Sequence, residues 1–397
     1  MKAIRKIFEN TKPLVEKGGK FHWLHSTHDA LFTLFFVQKN TSKSGVHIHD
    51  FIDLKRTMAI VVFALMPALF FGMYNVGYQY YGALGQLAST SFWAMLGYGA
   101  LKVVPMIMVA YIVGLGIEFT FAQIKGHEVE EGYLVSGMLI PMIMPVNTPL
   151  WMIAVAVAFS VIFCKEVFGG TGMNIWNPAL VARAFLFFAY PSQMSGDSVW
   201  ISALPKGVTA VDGFTGATPM ALGATASVNH GKGIATQLDI NTWDWFIGLI
   251  PGSIGETSTL AILIGAAILI ITGIASWRIM LSATLGAAAI GVLFNIFAGG
   301  NPYLAMPWYN HLVIGGFAFG AVFMATDPVS AAQTNCGKWI YGFLIGVLAI
   351  LIRVVNPAYP EGTMLAILLM NTFAPLIDHY VVEGNIKRRL SRAKATV

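Results

Sequence analysis

Ten apolar blocks dominate this chain, several of them close to the twenty or so residues that cross a hydrocarbon core at 1.5 Å of rise per helical residue. They lie at about 57 to 78, 101 to 124, 133 to 146, 149 to 164, 178 to 190, 257 to 274, 277 to 297, 311 to 325, 339 to 355 and 363 to 382. Charged residues make up 11% of the chain, against about a quarter in an ordinary globular protein. A water-soluble enzyme is excluded. The expected fold is an all-α polytopic membrane protein of about ten transmembrane helices, some of them broken. The third block is interrupted by Pro141 and Pro145 and the fifth ends at Pro191, so both are expected as broken or tilted helices buried among neighbours, where a membrane tolerates non-helical backbone.

The basic residues set the expected topology. With a cytoplasmic N-terminus, ten Lys/Arg of the first 57 residues fall inside, joined by Lys125, Lys165, Arg278, Lys338 and the tail residues Lys387, Arg388, Arg389, Arg392 and Lys394. Only Lys102, Lys206, Lys232 and Arg353 fall outside, a tally of 19 against 4, with Arg183 left inside a span. By the positive-inside rule both termini are cytoplasmic. The net charge of +5 is accounted for by this asymmetry, and no nucleic-acid partner is expected. The expected organisation is a cytoplasmic segment over 1–56 with an interfacial helix at 26 to 37, a first membrane half over 57–190, an outer loop over 191–256, a second half over 257–382 and a basic tail over 383–397. Similarity between VAFSVIFCKEVFGG (157 to 170) and FAFGAVFMATDPVS (317 to 330) raises an inverted repeat of two five-helix halves, an arrangement that commonly puts a site between the repeats.

The outer loop carries VDGFTGATPMAL, with Asp212, Gly213, Thr215, Gly216, Ala217 and Thr218. Asp-Gly and Thr-Gly are ordinary turn punctuation. The pattern D-x-x-T-G-A-T also resembles the site at which a flavin transferase esterifies FMN phosphate onto the last threonine. After the fourth block, GGTGMNIWNPAL (169 to 180) supplies glycines that let backbone approach a flat ligand and two asparagines, Asn174 and Asn177, that donate and accept hydrogen bonds. A loop that re-enters between helices and satisfies its own backbone is the plainer alternative.

These stretches, together with PGSIGETSTLA (251 to 261), FMATDPVSA (323 to 331) and RVVNPAYPEGTMLAIL (353 to 368), resemble the family of B subunits of Na⁺-translocating NADH:quinone oxidoreductases. The resemblance runs from the DLKR segment near residue 53 to NIKRRL at 385 to 390. D subunits of Rnf electron-transport complexes share the flavin-threonine motif, but the long basic N-terminal segment and the NPAYPEG and NIKRRL stretches favour the quinone reductase. The resemblance implies a bacterial inner-membrane redox subunit, with FMN covalently on Thr218 as a phosphothreonyl ester, non-covalent riboflavin seated near Gly170, Asn174, Asn177 and Ser136, and ubiquinone near the glycines of the second block, here Gly114 and Gly116. It implies Na⁺ export and obligatory partners: the chain has no GxGxxG in a βαβ context and only Cys164 and Cys336, so other subunits must oxidise NADH and hold iron-sulfur centres.

Acids on spans are functional candidates by default. Glu118 lies inside the second block, Asp378 near the cytoplasmic end of the last, and Asp327 at the mouth of the loop after the eighth. All three fall on the cytoplasmic side, where a Na⁺ exporter collects its ion, and hard cations prefer carboxylate and carbonyl oxygen. The structural alternative is an ion pair with a basic partner or an interfacial residue that snorkels to water, more so for Asp378 than for Glu118. His127, Glu128, Glu130 and Glu131, and His47 with His49, lack complete metal-ligand spacing and read as solvated loops. The rival from another class is a urea-transporter-like channel, which has ten spans but no use for a flavin threonine.

Overall fold

The computed structural model describes residues 54–126, 132–205, 207–211, 214–228, 242–299, 301, 303–356 and 361–395, with 10–13, 15, 28, 32 and 44–46. Most of the expected interfacial helix at 26 to 37, both histidine-containing polar segments and Asp212 lie outside the described residues. Among the described residues there are helices and no strands.

Five helical elements form the first half: α1 (Leu54–Ala83), α2 (Phe92–Lys125), α3 (Tyr133–Met142), α4 (Leu150–Ser160, continuing through a wide π-type turn, Val161–Lys165) and α5 (Pro178–Ala189). A helix α6 (Pro219–Val228) stands in the long connecting segment. The second half comprises α7 (Thr259–Ile271), α8 (Trp277–Ile296), α9 (Phe317–Phe319, continued by a second π-type turn, Gly320–Met324), α10 (Asn335–Val355) and α11 (Thr363–Ala395). Among the described residues six helical stretches are long and apolar enough to cross a membrane, and α3, α5 and α7 are shorter apolar helices. The chain is an all-helical polytopic membrane protein.

Contacts sort the connections into two faces. On one, Val211 N donates to Ala83 O at 3.0 Å and Asn147 Nδ2 to Ser198 O at 2.9 Å, joining the ends of α1 and α3 to the segment that carries Thr218. On the other, Lys125 at the end of α2 pairs with Glu166 after α4 at 3.3 Å, and Asp378 of α11 holds the start of α10. The elements therefore alternate between the Thr218 face and the Asp327 face, with α3 ending on the former and α9 on the latter. The third elements of the two halves run oppositely, as an odd number of crossings per half requires. This corrects the expected repeat register: 157 to 170 belongs to the fourth element of its half and 317 to 330 to the third of its own. What the two stretches share is a π-type turn, a local similarity rather than equivalent places.

Two expected spans differ, and two basic residues expected outside lie within helices. The second span begins at Phe92, not near 101, because Ser91 caps it by accepting from Ala94 N at 3.4 Å. Lys102 thereby lies inside α2, its ammonium 5.8 Å from the Tyr98 ring centroid, rather than in an outer loop. Arg353 also lies inside a helix, α10, and is fully buried. The eighth span is interrupted at Ile314–Gly316, where Gly315 and Gly316 both have φ +68°, a conformation that side chains with a Cβ disfavour. Arg353 fills that break by donating to the carbonyls of His311 at 2.6 Å, Ile314 at 3.1 Å and Gly315 at 3.3 Å. Helix pairs approach through small residues: a Cβ at Gly99 of α2 would collide with Met73 O of α1, and one at Gly346 of α10 with Ala283 O of α8. Backbone contact of this kind drives association where lipid removes the hydrophobic force.

Candidate functional site

The start of α3, the turn after α4 and the loop after α9 enclose a partly open cavity toward the Asp327 face. Ser136 of α3, Asn174 and Asn177 of the 169–177 turn, Lys165 and Asp327 all line it. Residues 191 positions apart thus meet in one place: 136 to 327. Asn174 is buried and donates to Trp176 O at 2.9 Å. Asn177 caps α5, accepting from Ala179 N at 2.9 Å ahead of Pro178. The turn therefore uses part of its own polarity, yet hydroxyls and amides still face a largely apolar space, a donor and acceptor set that fits a neutral flavin edge. Gly169, Gly170 and Gly172 have φ of 122°, 105° and 88°, so the turn itself demands them. Gly170 is buried but is not among the residues lining the cavity.

Asp327 accepts from Ser330 Oγ at 2.7 Å and Val329 N at 3.3 Å. Burial pushes its carboxyl up and those bonds pull it back. Glu118 takes the ion-pair alternative: it is paired with Lys165 of the π-type turn, the two side chains 4% and 6% exposed. Asp378 also has a structural role. Its carboxylate accepts from Gln333 N at 2.6 Å, Thr334 N at 3.0 Å and Thr334 Oγ1 at 2.5 Å, fixing the residue that caps α10. Gly114 and Gly116 do not form one pocket. A Cβ at Gly114 would enter the Tyr133 ring, whereas Gly116 faces outward with nothing within 4 Å.

On the opposite face a second cavity is lined by Thr218, Ser253, Glu256, Thr257, Gly316 and Glu361. Thr218 is half-buried and caps α6, its hydroxyl accepting from Ala221 N at 3.2 Å. Thr215 is exposed and accepts from Ala217 N at 3.2 Å, and Gly216 lies against Asp197 O so closely that a Cβ would not fit. A phosphate ester on Thr218 would sit at a helix N-terminus, which favours negative charge. Behind the cavity Arg183 donates to Ile143 O, to Ser253 Oγ at 3.0 Å, to Glu256 at 3.4 Å and to Glu361. Burial raises the Glu256 carboxyl to about 7 against the pull of Arg183.

Sequence reasoning left Arg183 without a role and missed Glu256, Glu361, Lys165 and Arg353. The available signal was the cost of a base on an apolar span, which calls for acids or carbonyls on other segments. Among the described residues no group of three or more His, Cys, Asp or Glu gathers to hold a metal ion.

Comparison with known proteins matches residues 41–387 to the NQR2, RnfD, RnfE family. The B subunit of the Na(+)-translocating NADH-quinone reductase of Chromohalobacter salexigens is 49% identical over 413 residues, covering 99% of this chain and 97% of that protein. The protein of the same name from Pseudomonas aeruginosa is 49% identical over 415 residues, with 98% and 99% covered. That of Azotobacter vinelandii is 47% identical over 412 residues, with 98% and 99% covered.

Proposed function

Because this chain belongs to the NQR2, RnfD, RnfE family, we propose that it is the membrane-embedded B subunit of a Na⁺-translocating NADH:quinone reductase, passing electrons from FMN on Thr218 through riboflavin to ubiquinone, coupled to Na⁺ export. The observation that carries this reading is identity near one half over essentially the full length of relatives bearing that name. An Rnf-type role shares the family, but the relatives near one-half identity reported above carry the quinone-reductase name.

Bound flavin supplies reversible one- and two-electron exchange. The chain's own part is to present and shield it. Thr218 would carry the FMN ester at the start of α6, within the motif that also contains Asp212, Thr215, Gly216 and Ala217, with a flavin transferase as the modifying partner. Ser136, Asn174 and Asn177 would hold riboflavin at the cavity on the other face. Glu118, Asp327 and Asp378 remain the acids proposed for the Na⁺ route, with Asp378 acting through the loop it anchors. Gly114 and Gly116 remain the glycines proposed near ubiquinone; Tyr133 packed against Gly114 favours the outward face that Gly116 shares. We place both termini in the cytoplasm, the 191–256 segment outside a bacterial inner membrane, and NADH oxidation on other subunits.

The test is an intact-mass measurement of the chain taken from the assembled complex. One added FMN, lost on alkaline or enzymatic cleavage of the phosphoester, is the expected result. An unmodified mass in cells that make the flavin transferase overturns the flavin-threonine reading.

A further inference from the structure

We propose that Lys165 is a tethered counter-ion that competes with Na⁺ for the Glu118 carboxylate and yields it by turning into the cavity lined by Asp327. This rests on the reading of Glu118 as a Na⁺-collecting group, and adds what must happen before the ion can bind there.

Three observations carry it. The Glu118 carboxylate is already occupied, with both partners nearly excluded from solvent, and two monovalent cations do not share one desolvated carboxylate without strong repulsion. Lys165 has somewhere to go: it lines the same cavity as Asp327, and a lysine is a compact charge on a flexible four-carbon stem, able to change acceptor without moving the backbone. Both groups also stand at unusual backbone geometry. Lys165 closes the π-type turn Val161–Lys165, and Asp327 follows the second such turn, Gly320–Met324, by three residues. Turns of this type are rare and concentrate at functional sites.

The charge count gives the cation class. Glu118 and Asp327 set two carboxylates against one ammonium, so a single monovalent cation neutralises the group and a divalent one overshoots it. Nearby Lys125 and Glu166 compensate each other at the surface. Lys165 is thus a positioning residue: it makes Na⁺ entry at Glu118 conditional on its own departure.

The experiment uses the assembled complex at constant ionic strength, with choline replacing Na⁺. It reads the half-saturating Na⁺ for quinone reduction and the Na⁺-dependent rise in thermal midpoint. Lys165→Met removes the competitor, and half-saturating Na⁺ should fall about tenfold, the factor given by a competitor worth about 1.4 kcal/mol. Lys165→Arg grips the carboxylate through a fixed fork and should raise it. A merely structural lysine would have both substitutions weaken the complex without moving Na⁺ affinity in opposite directions. An unchanged or raised value in assembled Lys165→Met overturns the inference. Should that variant fail to assemble, an unchanged or lowered value in Lys165→Arg overturns it instead. Glu118→Gln separates the two levels. If it leaves the Na⁺ response intact, the Glu118 reading itself is wrong; if it raises the requirement while the Lys165 variants do nothing, only the counter-ion role falls.

Discussion

Arg183 of α5 reaches Glu361, 178 positions further along the chain. The same guanidinium holds Ile143 O at the broken end of α3, along with Ser253 and Glu256 ahead of α7. Carbonyls at a helix C-terminus lack intrahelical donors and carry partial negative charge, so a buried cation beside two carboxylates and that helix end answers several demands at once. The cluster joins connections of both halves on the Thr218 face.

Arg183→Met should strand both glutamates, a loss of about 3 to 5 kcal/mol for breaking a buried ion pair from one side. The expected result is a thermal midpoint lowered by several degrees, or failed assembly, in detergent-purified complex. Combining it with Glu256→Gln and Glu361→Gln should recover part of the loss. A midpoint equal to the parent in Arg183→Met contradicts the clustered role.

Thr218→Val should abolish in-gel flavin fluorescence of this subunit, whereas Thr215→Val should retain it, since only Thr218 lines the cavity beside α6. Loss of the cap on α6 costs about 1 kcal/mol, too little to unfold the chain. Fluorescence persisting in Thr218→Val refutes the attachment site.

Gly114→Ala drives a methyl group into the Tyr133 ring, and overpacking of that kind costs about 1 to 3 kcal/mol. Gly116→Ala meets open space. The thermal midpoint should fall for the first and hold for the second. Equal midpoints, with ubiquinone KM raised only by Gly114→Ala, would return Gly114 to the quinone site.

Ser195 is exposed on the Thr218 face. With Cys164 and Cys336 removed, Ser195→Cys should react in whole cells with a membrane-impermeant thiol reagent. Labelling seen only after the membrane is opened would invert the proposed orientation.

Much of this architecture was legible because its signals are local. A run of apolar residues of the right length announces a span whatever surrounds it, and Pro145 and Pro191 follow the ends of α3 and α5, whereas Pro141 lies within α3, and Pro67, Pro105 and Pro375 lie inside helices that continue past them. The ten blocks reappear as the ten elements α1 to α5 and α7 to α11. The α2 start at Phe92 was missed because Trp93, Tyr98 and Lys102 interrupt the apolar run, while Ser91 still caps the helix. The eighth span was read as continuous because its break depends on Arg353, some forty residues away, supplying hydrogen bonds to carbonyls that would otherwise be orphaned in lipid.

Of the candidate site, the sequence by itself determined which residue types are available: the Thr218 motif, the Gly/Asn turn at 169 to 177, and acids and bases on apolar spans. Tertiary structure alone decided their company. It brought Ser136, Asn174, Asn177 and Asp327 to one cavity, gave Glu118 to Lys165 and Asp378 to the cap of α10, and turned Gly114 and Gly116 to different surroundings. The physical reason is that hydropathy and turn chemistry act within a few residues, whereas a buried charge takes its partner from whichever segment packing brings within about 3 Å.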